Sequence, residues 1–211
     1  MPDIFEATNG QGFKQAVVES QNLRLRIIQA ADAYKAFSLI KDPEVTRYLM
    51  WDGPKTINEL RLAYQDEAAD FETGHRYSFA IERVDKPGLI GSLAFRLIGY
   101  KEQALIGYWL GHKYWTKGYM TEAIRLSVHF AFKHLKAERI FGGVFKGNQP
   151  SRRTLEKNGF QLDGTLRRDI LVRGTWTDVW FMSLFREEWE QNPARYIPLT
   201  EEVIHAQIQS A

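Results

Sequence analysis

The sequence predicts an α+β fold, a mixed and mostly antiparallel sheet of about seven strands flanked by helices. Three observations lead there. Two β-type runs, Tyr77 to Val84 and Leu89 to Leu97, flank Asp85-Lys86-Pro87-Gly88, whose proline and glycine supply turn dihedrals. At Tyr119 the apolar period switches from two to helical, with Ile124, Val128, Ala131 and Leu135 on one stripe. The helices expected from 119 and from 150 each cross between strands, which suits a mixed sheet carrying helices better than an all-antiparallel or doubly wound one.

Residues 1–22 are expected as a polar lead-in, 23–189 as one domain, and 190–211 as a tail holding Pro193, Pro198 and a weak helix. Leu23-Arg24-Leu25-Arg26-Ile27 alternates apolar and basic residues, the signature of a half-buried strand. Ala30 to Ile40 reads as a helix ended by Asp42-Pro43, followed by a short helical turn through Tyr48 and a break from Met50 to Pro54. Thr56 with Glu59 is a capping-box pattern opening a helix toward Phe71, and Gly74 stands just past its end. Ala104 to Leu110 adds a third strand to the first hairpin. Arg139 to Phe145 is a further strand, Pro150 to Asn158 a helix ended by Gly159, and Phe160 to Val172 with Thr177 to Phe185 a second hairpin around Arg173-Gly174.

Composition narrows the function. The 211 residues carry 28 Lys plus Arg against 26 Asp plus Glu, a formal charge of +2, so bulk electrostatics calls for neither nucleic acid nor a membrane surface. The absence of cysteine excludes disulfides, Cys-based zinc sites and thiol nucleophiles, and His129 and His134 lack metal-ligand spacing, so no metal is expected. No apolar run reaches bilayer length and the N-terminus does not read as a targeting segment; the expected location is cytoplasmic.

Two segments carry chemistry. In the first, the strand Gly107-Tyr108-Trp109-Leu110 leads through Trp115-Thr116-Lys117-Gly118 into the helix opening at Tyr119-Met120-Thr121-Glu122. Unpaired amides and a positive dipole end beside a small residue make an anion site suited to phosphate; Gly118 could equally be an ordinary helix-entry residue. Neither a Walker loop nor a dinucleotide fingerprint is present. In the second segment, Asn148 caps the helix that holds Pro150 and Ser151 in its first turn and ends at Gly159. Its amide and hydroxyl also stand at the C-terminal end of a strand, where open sheets bind ligands.

Together these segments resemble the GNAT superfamily of N-acetyltransferases, most closely its ribosomal-protein N-terminal acetyltransferase branch. The matching residues are Gly107 to Leu110, Trp115 to Ala123, Asn148, Ser151, Glu156-Lys157 and Gly159-Phe160, supported by Asp163-Gly164, Trp176-Thr177-Asp178 and Arg186 to Trp189, so the likeness spans Leu23 to Trp189. It implies a splay between the fourth and fifth predicted strands, with acetyl-CoA as cosubstrate lying in it. Tyr108, Trp109 and Leu110 would flank the pantetheine; amides of Trp115, Thr116, Lys117, Gly118, Tyr119 and Met120 would hold the pyrophosphate; Asn148 would orient the pantetheine or acetyl end; and Ser151 would stand near the sulfur as a candidate general acid. Core packing is the other reading for Trp109, and a plain helix-turn role the other for Ser151.

Three positions depart from the pattern. Trp115 replaces a Gln or Arg, Met120 replaces a small residue, and Leu105 stands where branch members often carry a glutamate base. The general base is therefore unassigned. A site without a strong base favours an α-amine, with a pKa about 8, over lysine, at about 10.4. The implied activity is acetyl transfer to a primary amine by direct attack, the acceptor being a protein N-terminus. The alternatives are a small amine (polyamine, aminoglycoside or amino-acid-like) or a CoA sensor without turnover. The Met50-Trp51 region, the helix from 56 to 71 and the hairpin near Arg173 are expected to set acceptor choice, and the polar ends could serve a homodimer. Glu122 reads as a dipole-offsetting carboxylate, His75 as a helix-end cap and His112 as a loop residue near phosphate. Arg152 and Arg153 face either a nucleotide phosphate or solvent.

Overall fold

A computed structural model describes residues 12–99, 102–191 and 200–205. Nine strands form one sheet: β1 (Phe13–Glu19), β2 (Leu23–Ile27), β3 (Tyr77–Arg83), β4 (Leu89–Ile98), β5 (Gln103–Leu110), β6 (Arg139–Phe145), β7 (Gln161–Val172), β8 (Thr175–Phe185) and β9 (Thr200–His205). Their spatial order is β7-β8-β6-β5-β4-β3-β2-β1-β9, antiparallel at every neighbouring pair except β5 with β6. Six α-helices accompany it among the described residues: α1 (Ala33–Ile40), α2 (Pro43–Thr46), α3 (Ile57–Thr73), α4 (Tyr119–Lys133), α5 (Gln149–Glu156) and α6 (Arg186–Glu190).

The α+β class, both hairpins and the crossover helices follow the sequence reading. The ends do not. Phe13–Glu19, expected within a loose lead-in, is a strand that buries Phe13, Ala16 and Val18, and Thr200–His205, expected within a weakly helical tail, pairs with it as the sheet's edge. These two strands raise seven to nine. Pro193 and Pro198 lie outside the described residues.

Strand alternation divides the core between the two faces of the sheet. On β3, Tyr77, Phe79 and Ile81 join a cluster with Ile124, Val128 and Phe130 of α4 and Leu155 of α5, whereas Ala80 packs with Ala36 and Leu39 of α1 and Leu60 and Tyr64 of α3. Phe71, in the last turns of α3, belongs to the first cluster and meets Phe79 at 5.1 Å and Phe130 at 6.2 Å between ring centroids. The capping signals hold: Thr56 accepts from the Glu59 N–H at 3.1 Å, and Gly74 closes α3 with φ 79°.

Candidate active site

The parallel pair β5–β6 is short. It is paired at Gln103 with Arg139, Ala104 with Ile140 and Leu105 with Phe141, and beyond that point the strands part while each keeps its other neighbour. At the fork, a Cβ on Gly142 would lie 3.2 Å from the Ile106 carbonyl oxygen, so a glycine lets the chains approach where they diverge. The Gly111 N–H bonds the Ile90 carbonyl of β4, and backbone groups alternate direction along a strand. The N–H and C=O of Tyr108 and the C=O of Ile106 therefore point into the gap beyond the last β5–β6 bridge, and buried peptide groups of this kind require partners.

The loop beyond Leu110 closes the mouth of the gap. Trp115 donates its indole N–H to the Leu110 carbonyl at 2.7 Å, and its ring lies 4.6 Å from that of His112. Thr116 and Gly118 both take left-handed backbone, with φ 61° and 82°. Gly118 is the N-cap of α4 and offers no capping side chain, so the first N–H groups of the helix, at Tyr119 and Met120, have no intrahelical partner. Thr116, Lys117 and Gly118 are exposed, while Tyr119 and Met120 are half-buried.

Across the gap, the side chain of Asn148 caps α5 by accepting the Ser151 N–H at 3.3 Å. The Ser151 hydroxyl meets the Tyr108 hydroxyl at 2.8 Å, a bond that bridges β5 and α5 across the fork. Burial pushes the Tyr108 phenol up to about 12, against a smaller opposing effect of the Ser151 bond. The sequence offers no local signal for this pair, whose members are 43 residues apart.

Alternation turns Tyr108 toward the α4–α5 face and Trp109 toward the α1–α3 face, where it packs against the α1–α3 cluster. Leu105 shares that second face and brings no carboxylate to it. Tyr48, following α2, packs against Phe145, Val172 and Val179, and Arg173 at the β7–β8 tip reaches the same segment. The Arg173 Nε bonds Asp52 at 2.5 Å, and its Nη2 donates to the carbonyls of Thr46 and Trp51, each at 3.1 Å. Two of the regions expected to set acceptor choice, the Met50-Trp51 segment and the Arg173 hairpin, are therefore in contact. Glu67 of α3 is a carboxylate the sequence reading did not single out; burial raises its pKa against the pull of Arg76, 3.1 Å away.

The remaining side chains are engaged structurally. Glu122 accepts from Ser20 at 2.5 Å and Asn22 at 3.2 Å, tying the β1–β2 turn to the start of α4. The His112 Nδ1 lies 2.9 Å from Asp42, the N-cap of α2, and His75 lies 2.6 Å from the Thr73 hydroxyl at the end of α3. Arg152 pairs with Glu156 at 2.8 Å and covers the Trp180 ring at 4.9 Å, while Arg153 is exposed. Among the described residues no cluster of three or more His, Cys, Asp or Glu could hold a metal, and no helix is long and apolar enough to cross a membrane.

Comparison with known proteins agrees with this layout. The acetyltransferase (GNAT) domain family matches residues 22–161, which include the fork, the loop and α5. This chain belongs to the GNAT family. The GNAT relative YoaA of Bacillus subtilis, an uncharacterized N-acetyltransferase, is 34% identical over 160 residues, 75% of this chain and 90% of YoaA. The [ribosomal protein uS5]-alanine N-acetyltransferase of Escherichia coli is 25% identical over 118 residues, covering 55% of this chain and 61% of that one. Among solved GNAT folds, Mycobacterium smegmatis RimJ in complex with CoA-disulfide superposes with a TM-score of 0.74 at 24% identity, over 82% of this chain and 88% of that one. Spermidine N-acetyltransferase from Vibrio cholerae, in complex with CoA and spermine, does so at 0.70 and 20%, over 80% and 98%. The chain is an acetyl-CoA-dependent N-acetyltransferase of the GNAT family.

Proposed function

We propose that this GNAT enzyme acetylates the N-terminal α-amine of a protein, by direct attack of the amine on acetyl-CoA in a ternary complex. The observation that carries the reading is the β5–β6 fork, with inward-pointing backbone groups at Ile106 and Tyr108 and an uncapped α4 N-terminus at its mouth. These groups fit a cosubstrate that has amides along its length and a pyrophosphate at one end. Tyr108, Trp109 and Leu110 flank the pantetheine, the amides from Trp115 to Met120 with Lys117 receive the pyrophosphate, and Asn148 and Ser151 face the acyl end. Acetyl-CoA supplies an activated thioester carbonyl. Ser151 serves as the acid that returns a proton to the departing sulfur. With no cysteine in the chain, a thiol acyl-enzyme is excluded, which favours direct transfer.

Two features support an α-amine over a polyamine. Leu105 leaves the acceptor face without the glutamate that would deprotonate a strongly basic amine, and an α-amine with pKa about 8 is partly neutral without help. The carboxylates Asp42, Asp52 and Glu67 on that side are each already paired, with His112, Arg173 and Arg76, so they are not spare charges for a polycation. The test is thiol release from acetyl-CoA across short peptides with free N-termini, spermidine, an aminoglycoside and amino acids, with products identified by mass. Acetylation at the peptide α-amine is expected. Turnover with spermidine alone would overturn the acceptor assignment, and CoA binding without turnover on any amine would mark a sensor.

A further inference from the structure

The Tyr108–Ser151 bond spans the fork at the place where the leaving sulfur is proposed to sit. The Tyr108 Oη lies 2.8 Å from the Ser151 Oγ and 3.5 Å from the Ser151 carbonyl oxygen. Both partners are held. Tyr108 packs against the α4–α5 core, and Ser151 follows Pro150 in the first turn of α5, its N–H fixed on Asn148.

An aliphatic alcohol is a much weaker acid than a phenol, so a serine that gave up its proton alone would be left as a high-energy alkoxide. A phenol behind it lessens that difficulty, since even with its pKa raised by burial it is a stronger acid than an aliphatic alcohol. We propose that Tyr108 is the proton source behind Ser151, the two hydroxyls forming a relay to the departing thiolate. This rests on the acetyltransferase reading of the fork. As the new C–N bond forms and the C–S bond breaks, the sulfur keeps the bonding pair and takes the Ser151 proton, while Ser151 takes the proton of Tyr108. Serine is restored and Tyr108 is left as phenolate. The acylated nitrogen releases one proton to water, and the phenolate recovers one from water, so charge and protons balance over the cycle. Burial keeps the resting phenol protonated through neutral pH, which is the state a donor needs.

The test uses Tyr108→Phe, which keeps the ring and its packing, with Ser151→Ala and the double variant. CoA binding is measured by calorimetry, transfer by single-turnover kinetics in mixed light and heavy water, and the Tyr108 ring by 13C-tyrosine NMR of the free protein. Expected are a CoA Kd within about twofold of the parent for Tyr108→Phe and a transfer rate lower by at least about tenfold. The proton inventory should change from bowed to linear, and the double variant should be no slower than Ser151→Ala. The Tyr108 Cζ resonance, assigned by its loss in Tyr108→Phe, should move in Ser151→Ala. An unchanged rate or inventory in Tyr108→Phe, or rate losses that multiply in the double variant, would overturn the relay. Should Tyr108→Phe not fold, the Ser151→Ala inventory and the Cζ shift decide: a parental inventory or an unmoved resonance overturns it. Failure of the parent protein to bind CoA would instead sink the underlying reading.

Discussion

The indole N–H of Trp115 donates to the Leu110 carbonyl at 2.7 Å, joining the loop to the last residue of β5. A tryptophan in place of the family's Gln or Arg therefore still brings a donor to this end of the fork. Trp115→Phe keeps the ring beside His112 and deletes the N–H, leaving a carbonyl without its partner. A loss of ~1 kcal/mol is expected, read as a roughly fivefold weaker CoA affinity by calorimetry. An affinity equal to the parent's would show that the bond does not shape the loop.

Gly118 separates conformation from charge. Its φ of 82° is left-handed, and a Cβ there would meet nothing within 4 Å, so alanine is strained but not clashing. Gly118→Ala should cost about 1 kcal/mol of stability and keep most CoA binding. Gly118→Asp adds a negative charge where the pyrophosphate is proposed to rest. It should abolish CoA binding while melting close to Gly118→Ala; equal CoA affinity in the two variants would move the phosphate site elsewhere.

The parts of the fold written in local pattern were legible. Thr56, Glu59 and Gly74 bound α3, Asn148 and Gly159 bracket α5, and the Arg173-Gly174 turn joins β7 to β8. What escaped depends on distant partners or broken periodicity. β1 has an irregular register between Phe13 and Gln15, so its alternation is interrupted, and β9 becomes a strand by pairing with residues more than 180 positions away. The site divides the same way. The loop and the Asn148–Ser151 turn were found from contiguous residues, whereas the Tyr108–Ser151 bond and the burial of Glu67 arise only when β5, α5 and α3 are assembled.

Arg173 tests the acceptor side. It and Gly174 have φ of 48° and 75°, a two-residue hairpin turn in which arginine is strained and glycine would not be. Its guanidinium nevertheless holds Asp52, the Thr46 carbonyl at the end of α2 and the Trp51 carbonyl after it. Arg173→Gly should leave thermal stability within about 1 kcal/mol of the parent, since relieved strain offsets a partly exposed ion pair. The acceptor KM should rise several-fold while the CoA Kd stays put. Lysine should not rescue KM, because a single ammonium cannot reproduce the fork. A parental KM in Arg173→Gly would remove the tip from acceptor recognition.

Glu201 and His129 set the acid side of the stability profile. The Glu201 carboxylate of β9 lies 2.5 Å from the Lys133 ammonium, 2.6 Å from the His134 Nε2 and 3.4 Å from the His129 Nε2, all on α4 or its C-cap. Burial works to raise the Glu201 pKa, but the bonds from Lys133 and His134 win and hold it below the ordinary carboxylate value. Burial lowers His129, outweighing the attraction of Glu201. Both folded pKa values lie below the unfolded ones, so in both cases the unfolded chain binds protons first on acidification. Stability should therefore be complete above about pH 6.5, decline below it as His129 protonates in the unfolded state, and decline again below about pH 4.5 as Glu201 does. Urea midpoints measured against pH should show both declines in the parent. Glu201→Gln should lose the lower one and keep the upper, because burial still disfavours His129 protonation. A lower decline of parental size in Glu201→Gln would assign it to other carboxylates and leave β9 without an electrostatic clasp on α4.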